Sequence, residues 1–282
     1  MKRGAEMKIK SKKVISLIAV LILVVTAFTS CAGGGGASSG GDVLERIKSE
    51  GTIKVAISLG NEPWCWKNED GEIVGMAIDL IQGFADAAGI QTSYDTYDFS
   101  GLIPAIQEGK DDIIATNLTR KAERALSVTY TDPVGCSFGT CIYKKGAFKT
   151  ADDLNKDSVQ LTTEVGSIYE GVGTETFPNA KMNPTENNSD ALAAVKAGRA
   201  DAMVTDLAIA SAACAADNSL EYLEPYIFTD TLAFAVGCSA DSYTLAEAFN
   251  TWLKVAKADG TYAEIYQKYF DEEWSPQNDA TM

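Results

Sequence analysis

The most restrictive feature of this sequence is a regular alternation of strand-like and helix-like segments that begins at Thr52. "TIKVAIS" has the pattern of a buried strand, and "AIDLIQGFADAAG" has the pattern of an amphipathic helix that stops at Gly89. Similar strands and helices follow, and two helical segments, "TLAEAFNTWLKVAKADG" and "TYAEIYQKYF", complete the pattern. This alternation predicts an α/β fold with layers of helices on largely parallel sheets.

Two of these helices begin next to polar residues that are suited to capping. Ser100 precedes "GLIPAIQEGK", in which Pro104 falls in the first turn, where proline is tolerated. Asn188 or Ser189 stands before "DALAAVKAGR". We therefore expect the side-chain oxygens of these residues to accept hydrogen bonds from the free N–H groups of the first turn.

An internal match joins two segments of the chain. Leu102 to Asn117, "LIPAIQEGKDDIIATN", aligns without gaps with Ala191 to Asp206, "ALAAVKAGRADAMVTD". Shared turn chemistry of αβ units is one explanation, and two similar lobes is the other. In the second case Asn117 and Asp206 are equivalent residues at the carboxyl ends of strands, where open α/β sheets bind ligands. The match then predicts one polar side chain from each lobe at a common cleft.

Composition excludes several classes of function. The chain has no histidine, which removes Ser-His-Asp and Cys-His nucleophiles and every His-ligated metal site. After the first thirty residues there are 18 basic and 38 acidic residues, so the remainder repels nucleic acid. We expect no cofactor and no metal. Five cysteines follow Cys31, and either buried thiols or one bridge among Cys136, Cys141 and Cys238 fits them.

The N-terminal segment has the pattern of an export signal. A basic region with Lys8, Lys10, Lys12 and Lys13 precedes an apolar run from Val14 to Phe28, which is shorter than the roughly 20 residues that span a bilayer. Small residues lead to Cys31, and "AGGGGASSGG" then forms a flexible tether. We assign residues 1–30 to a signal peptide and residues 31–41 to the tether. Cys31 resembles the lipidated cysteine of bacterial lipoproteins, and a plain secreted protein is the alternative.

Residues with the chemistry to hold a small ion are spread along the body. Arg124 follows the strand at Asn117 by seven residues, and its guanidinium matches a carboxylate unless it is a surface side chain. Asp206 either caps the next helix or pairs with a cation. Gly166 and Ser167 open a helix whose N–H groups form an anion site or a simple cap. Phe99 belongs to the core or forms a stacking face. Together, an anion receptor beside a cation receptor matches a zwitterion such as an α-amino acid.

Several motifs carry a resemblance that covers nearly all of residues 42–271. They are "GEIVGMAIDLIQGFA", "DFSGLIPAIQEGKDDIIATNLTRKAERALSVTYTDPV", "EVGS", "DALAAVKAGRADAMVTD" and "KADGTYAEIYQKYF". With them the chain is similar to the bacterial extracellular solute-binding proteins of family 3, the receptors of polar amino-acid ABC importers. The resemblance implies a two-lobed, periplasmic-binding-protein-like (type II) α/β clamp with a hinge of two crossing segments. It also implies an amino-acid ligand, ABC permease subunits as membrane partners, and a monomer.

The resemblance also implies roles for individual residues. Arg124 would grip the α-carboxylate with help from a backbone N–H at Ser167, and Asp206 would take the α-ammonium. Asn117 and Thr119 would line the site, and Phe99 would pack on the ligand side chain. The family often has an aromatic residue where this chain has Asn61, and Trp64 or Trp66, which we expect in the core, stands nearby. Specificity is expected from a few side chains, namely Ser58, Asn61, Glu62, Phe99 and Glu164.

The same resemblance places the lobes and the cell compartment. Residues 42–135 and 232–282 would form the first lobe and residues 136–231 the second. The protein would lie outside the cytoplasm, held at the membrane by lipid on Cys31. Two alternatives stay open, a prephenate or arogenate dehydratase-like enzyme on this fold and a ligand-sensing receptor for a separate signalling partner. The paired Arg124 and Asp206 favour a binding protein, because they suit a zwitterion.

Overall fold

The computed structural model describes residues 43–224, 227–270 and 273–274, all within one compact unit, Gly41–Met282. The predicted signal peptide, Cys31 and the tether lie outside the described residues. Among the described residues, no helix combines the length and the apolar character that crossing a membrane requires. The helices, numbered here in chain order, are α1 (Val43–Glu50), α2 (Met76–Ala88), α3 (Leu102–Gln107), α4 (Ala151–Leu154), α5 (Tyr169–Thr176), α6 (Asn188–Ala197), α7 (Leu207–Ala216), α8 (Ala240–Asp259) and α9 (Thr261–Gln267).

The strands form two main sheets and one small hairpin. The first sheet has the order β4-β1-β5-β13-β6, and the second contains β11-β7-β10-β8-β9, with β12 also paired to β7. Their bounds are β1 (Thr52–Ile57), β2 (Trp66–Lys67), β3 (Ile73–Val74), β4 (Gln91–Thr96), β5 (Ile113–Ile114), β6 (Thr129–Tyr130), β7 (Gly135–Lys144), β8 (Gln160–Thr162), β9 (Lys181–Met182), β10 (Ala202–Asp206), β11 (Leu220–Tyr222), β12 (Phe228–Leu232) and β13 (Ala235–Val236).

Each main sheet is the centre of one lobe, and two strands connect the lobes. The chain leaves the first sheet after β6 and enters the second on β7, and it returns from β12 to β13. β7 and β12 are antiparallel neighbours, with Leu232 opposite Gly135 at the crossing. The predicted two-lobed clamp with two crossing segments is therefore confirmed, while the residue bounds assigned to the lobes stay a prediction.

The expectation of largely parallel sheets was wrong, because both sheets are mixed. β1 runs parallel to β4 and β5, whereas β13 is antiparallel to β5 and β6. In the second sheet β10 is parallel to β8 but antiparallel to β7. The antiparallel strands include the ones next to the crossing, where the chain changes lobe and returns. An alternation of strands and helices does not reveal this reversal.

The internal match corresponds to two units with the same hydrogen-bond pattern. Gly109 follows α3 with φ 69°, and Gly198 follows α6 with φ 71°. Asp112 accepts a hydrogen bond from the Lys54 N–H at 2.8 Å, and Asp201 accepts one from the Gln160 N–H at 2.8 Å. The match therefore extends backward to β1 and β8. Four residues beyond those two donors, Ser58 and Glu164 are counterparts on the two lobes.

Three details of the helix starts differ from the sequence expectations. Ser100 lies within a 3₁₀ turn, Phe99–Gly101, and α3 begins without a side-chain cap. Asn187, one residue before the predicted pair, caps α6 by accepting a hydrogen bond from the Asp190 N–H. The helix predicted from Gly166 begins at Tyr169. Such shifts of one to three residues arise because helix ends fray or tighten into 3₁₀ turns.

The cores of the lobes contain the residues that the apolar pattern predicts. α2 buries Leu80, Ile81 and Phe84 against the first sheet and the C-terminal helix α8. Trp64 is buried and lies 5.6 Å from the ring of Phe270, so its predicted place in the core is confirmed. Among the cysteines, Cys65 and Cys141 are buried thiols and Cys238 is an exposed one, so the bridge considered above does not form.

Candidate functional site

A buried pair of side chains joins the carboxyl ends of the two matched strands. The Asn117 Nδ2 donates to the Asp206 Oδ2 at 2.8 Å, across 89 residues of sequence. Thr116 fixes the carboxamide by donating to the Asn117 Oδ1 at 3.0 Å. The two residues that the internal match predicts as counterparts therefore meet in the cleft between the lobes.

Asp206 fills one of the two roles that its position allowed, the cap of the next helix, and its pairing with a cation stays a prediction. Its Oδ1 accepts a hydrogen bond from the Ile209 N–H at 2.9 Å, which caps α7. Only 1% of the residue is exposed. Burial raises the pKa of its carboxyl, while the hydrogen bonds from Ile209 and Asn117 act in the opposite direction. A cation that entered the cleft would favour the ionised form of this carboxyl.

Arg124 begins a short 3₁₀ helix, Arg124–Leu126, after the loop that carries Asn117. Its Nη1 donates to the Thr119 carbonyl at 3.2 Å and its Nη2 to the Gly166 carbonyl of the other lobe at 2.9 Å. The guanidinium lies 5.8 Å from the centre of the Phe99 ring. Both of these acceptors are neutral carbonyls, and a carboxylate would make a stronger, charge-assisted pair of bonds with the same fork.

Ser167 is close to this group, and its donors are engaged within its own loop. Its N–H donates to the Glu164 carbonyl at 3.2 Å and its hydroxyl donates to the same oxygen at 2.7 Å. The Gly166 N–H points at the Glu170 carboxylate at 3.3 Å. An incoming carboxylate would have to replace these acceptors, and the predicted role of the Ser167 N–H stays a prediction.

A second set of buried polar side chains lies near Asp206. The Asn188 Nδ2 donates to the Asn61 Oδ1 at 2.7 Å and to the Glu164 Oε2 at 3.3 Å. Asn61 also donates to the Ser58 carbonyl at 3.2 Å. Burial, followed by the nearby Asp206, raises the pKa of the Glu164 carboxyl to about 8. This carboxyl is therefore mostly protonated at pH 7 in the structure as it stands.

Sequence reasoning placed Asn188 at a helix start and missed its contacts in the cleft. Asn188 is the counterpart of Phe99, since each stands three residues before the matched helix segments. The internal match contained this signal, because a residue equivalent to a cleft residue also faces the cleft. Trp64 was assigned to packing alone, yet its side chain lies beside Asp206.

Two glycines let the lobes touch at symmetry-related points. A Cβ at Gly60, with φ 84°, would lie 2.6 Å from the Ser189 Oγ. A Cβ at Gly166, with φ 79°, would lie 2.9 Å from the Ser100 Cβ. Ser100 and Ser189 are equivalent in the internal match, so the contacts form a pseudo-symmetric pair. Glycine at both positions permits the positive φ and the close approach of the lobes.

A cavity of about 390 Å³ opens beside Ser58, between the first lobe and the start of α6. Its walls include Tyr97 and Asp98 after β4 and the helix cap Asn187. Of the two carboxylates considered for specificity, Glu164 faces the cleft, whereas Glu62 is exposed. Within the described part of the chain, no cluster of three or more His, Cys, Asp or Glu side chains is arranged to hold a metal ion.

Comparisons with known proteins agree on one kind of relative. The sequence profile of the bacterial extracellular solute-binding proteins, family 3, matches residues 53–272. The glutamine-binding protein GlnH of a Bacillus subtilis ABC transporter is 30% identical over 271 residues, covering 94% of this chain and 98% of that protein. The arginine-binding protein 1 of an Escherichia coli ABC transporter is 26% identical, covering 78% of this chain and 91% of that one.

Solved structures lead to the same group. The ancestral amino-acid-binding protein AncCDT-1, described as a precursor of cyclohexadienyl dehydratase, superimposes with a TM-score of 0.75 at 33% identity. That match covers 80% of this chain and 99% of that structure. An ancestral arginine-binding protein bound to arginine gives a TM-score of 0.73 at 31% identity, covering 78% and 98%.

Proposed function

Because the chain belongs to family 3 of the bacterial extracellular solute-binding proteins, we propose that it is the substrate-binding component of an amino-acid ABC importer. It captures an α-amino acid between its lobes outside the cytoplasm and delivers the amino acid to the permease subunits of the membrane. The observation that carries this proposal is the position of an arginine and a carboxylate on opposite sides of one cleft. Relatives named for glutamine, histidine and arginine binding support the same class of ligand.

The roles of the two charged residues follow from their positions. Arg124 contacts the Thr119 carbonyl, and Asp206 contacts Asn117 only two residues earlier in the chain. The carboxylate and the ammonium of an α-amino acid are attached to the same carbon. Two binding groups at neighbouring parts of one loop, Arg124 and the carboxylate that contacts Asn117, therefore suit them. We assign the α-carboxylate to Arg124, with the N–H of Ser167 turning toward it, and the α-ammonium to Asp206. Thr119 and Phe99 form the adjoining wall.

Closure of the clamp depends on contacts that a ligand makes to both lobes at once. Arg124 belongs to the first lobe, while Asp206 and Ser167 belong to the second. A ligand shifts an open–closed equilibrium only by its difference in affinity for the two forms. A bound zwitterion contacts both lobes only in the closed form, so it favours closure. The closed form is the one that the permease binds.

The test is a thermal-shift screen of the purified protein against the proteinogenic amino acids and cystine. Binding to the native state raises the apparent Tm, by about 5–10 °C at a ligand concentration near 100 times Kd. We expect such a shift for a small group of α-amino acids. A flat response to the whole panel would contradict the proposed function.

Attachment to the membrane is proposed for the N-terminal segment, as a lipid on Cys31 of a monomeric protein. The basic residues, the short apolar run and the Gly/Ser tether of the sequence support it. Labelled palmitate should enter the wild-type protein in cells, and the change Cys31→Ala should abolish the labelling. Equal labelling of both proteins would rule out a lipid at this residue.

An enzyme of the prephenate dehydratase type is the rival, and Glu164 is the observation in its favour. A buried carboxyl with its pKa raised to about 8 has the protonation state of a general acid at neutral pH. Asp206 argues against it, because this buried carboxylate suits the ammonium that prephenate lacks. We expect no release of phenylpyruvate from prephenate, and catalytic release would overturn the assignment as a binding protein.

A further inference from the structure

Glu164 is the buried titratable group that the proposed capture of the α-carboxylate and α-ammonium does not use. It follows β8, and only 1% of it is exposed. Its Oε2 accepts from Asn188 at 3.3 Å, while its buried Oε1 has no hydrogen-bond partner among the described residues. A buried acceptor without a donor is unfavourable, so this oxygen indicates a site for a donor that a ligand supplies.

The charges around Glu164 restrict that donor. The charged groups that act on it are the carboxylates of Asp206, on β10, and of Asp98, after β4. The neutral groups are Asn188 at the start of α6 and the Ser58 hydroxyl at the end of β1. An ionised Glu164 therefore has two neutral donors and two carboxylates around it, and no positive charge among the groups that act on it. A cation is the group that this arrangement lacks.

There is space for a side chain beside Ser58, the residue whose hydroxyl acts on this carboxyl. Ser58, which lies beside Glu164, also lines the cavity of about 390 Å³ whose wall includes Asp98. Small-molecule sites have volumes of about 300–1,000 Å³, so the cavity suits the distal part of a small ligand. Once the α-carboxylate and α-ammonium occupy Arg124 and Asp206, Glu164 and Asp98 remain for the side chain.

We propose that the cleft selects an α-amino acid whose side chain ends in a guanidinium or ammonium group, and that Glu164 is the residue that contacts this cation. The inference rests on the proposed function, since it names the ligand class of the same cleft. A neutral amide side chain can pair with the protonated Glu164, but it does not balance the charge of the ionised form. An acidic side chain is repelled by Glu164 and Asp98.

Proton linkage gives this contact a signature. The pKa of Glu164 is raised to about 8 in the empty structure, and a cationic side chain favours the ionised form, so its binding releases a proton below that pH. Affinity for L-arginine should therefore rise from pH 6 to pH 8, by up to about tenfold per pH unit. The pKa of Asp206 is also raised, so its ionisation adds a pH dependence that every α-amino acid shares. The pH dependence of L-glutamine affinity measures this shared contribution. The additional pH dependence of L-arginine affinity is then due to Glu164.

The experiment is calorimetric titration of the wild-type protein and of Glu164→Gln with L-arginine, L-lysine and L-glutamine at pH 6 and pH 8. Wild type should bind the two cations more tightly than L-glutamine at pH 8. Glu164→Gln should lose about 10- to 150-fold in affinity for L-arginine, the range for a hydrogen bond to a charged group. It should change little toward L-glutamine, and the excess pH dependence for L-arginine should disappear.

The matched control is Glu69→Gln, which removes the same charge from an exposed carboxylate in the turn between β2 and β3. Its affinities should equal those of the wild type. Circular dichroism and the Tm report whether Glu164→Gln folds. If it does not, Asp98→Asn, at an exposed residue of the cavity wall, should lower the preference for L-arginine over L-glutamine.

The outcomes separate this inference from the function on which it rests. Wild-type protein that binds L-glutamine more tightly than L-arginine and L-lysine overturns the inference and leaves an amino-acid receptor. A folded Glu164→Gln protein with unchanged affinity for L-arginine also overturns it. Failure of wild type to bind any amino acid of the screen overturns the proposed function, and this inference with it.

Discussion

Arg124→Ala should remove most of the amino-acid affinity while leaving the fold intact. The guanidinium is held by two carbonyls, of Thr119 and Gly166, in a position to receive a carboxylate through its fork of donors. Truncation of one partner in a buried, hydrogen-bonded charge pair costs about 2–5 kcal/mol, which corresponds to about 30- to 5,000-fold in affinity. Calorimetric titration with the amino acid that gives the largest thermal shift measures this loss.

Arg120→Ala is the matched control for this change. Arg120 lies four residues earlier in the same loop, and its guanidinium sits 6.0 Å from the centre of the Tyr130 ring. Loss of the Arg120 side chain removes an equal charge from the same segment, so the affinity of the Arg120→Ala variant should remain near that of the wild type. The affinity of Arg124→Lys should lie between those of Arg124→Ala and Arg120→Ala, because lysine keeps the charge but not the planar fork of donors. Near-native affinity in Arg124→Ala would refute the role assigned to this residue.

Asp206→Asn should also remove most of the affinity, by the loss of the charge that faces the α-ammonium. Asparagine keeps an acceptor for the Ile209 N–H, and it caps helices about as well as aspartate does. Its amide nitrogen cannot accept from the Asn117 Nδ2, and this lost hydrogen bond of about 1 kcal/mol should lower the Tm by about 2–4 °C. The affinity should fall much further, by about 30- to 5,000-fold, as for a truncated buried charge pair. Thermal unfolding and calorimetric titration separate these two effects.

Asp201→Asn is a matched control immediately before the same strand. Asp201 is exposed at the start of that segment, and its carboxylate accepts from the Gln160 N–H at 2.8 Å, as an asparagine side chain also does. Binding by this variant should match the wild type. If Asp206→Asn binds as tightly as Asp201→Asn, Asp206 does not receive the ammonium.

The predictable part of the site came from similarity within the chain itself. Asn117 and Asp206 were expected as counterparts from two aligned segments, and they form one hydrogen bond of 2.8 Å. The identical Gly and Asp of those segments make the same turn and the same bond to a neighbouring strand. Local sequence determines such features, because the turn and the first strand pair lie within one αβ unit.

The unpredicted part depends on how the lobes meet. Glu164 was one candidate among several for specificity, and Asn188 was expected only as a helix cap. Their contact with each other and with Asn61 brings together residues as many as 127 positions apart in the chain. The antiparallel strands next to the crossing could not be predicted either, because their pairing also joins distant parts of the chain. A pattern of apolar residues predicts which elements form but not which lobe each strand joins.

The central claim is that Arg124 binds the α-carboxylate of the ligand, and one double comparison tests it most directly. Wild type and Arg124→Ala are titrated with the amino acid that binds most tightly and with its decarboxylated amine, which for L-arginine is agmatine. We predict that loss of the carboxylate weakens binding to the wild type by about 30- to 5,000-fold and hardly affects the variant, because the lost partner is already absent. Equal affinity of the wild type for the amino acid and the amine would contradict the claim.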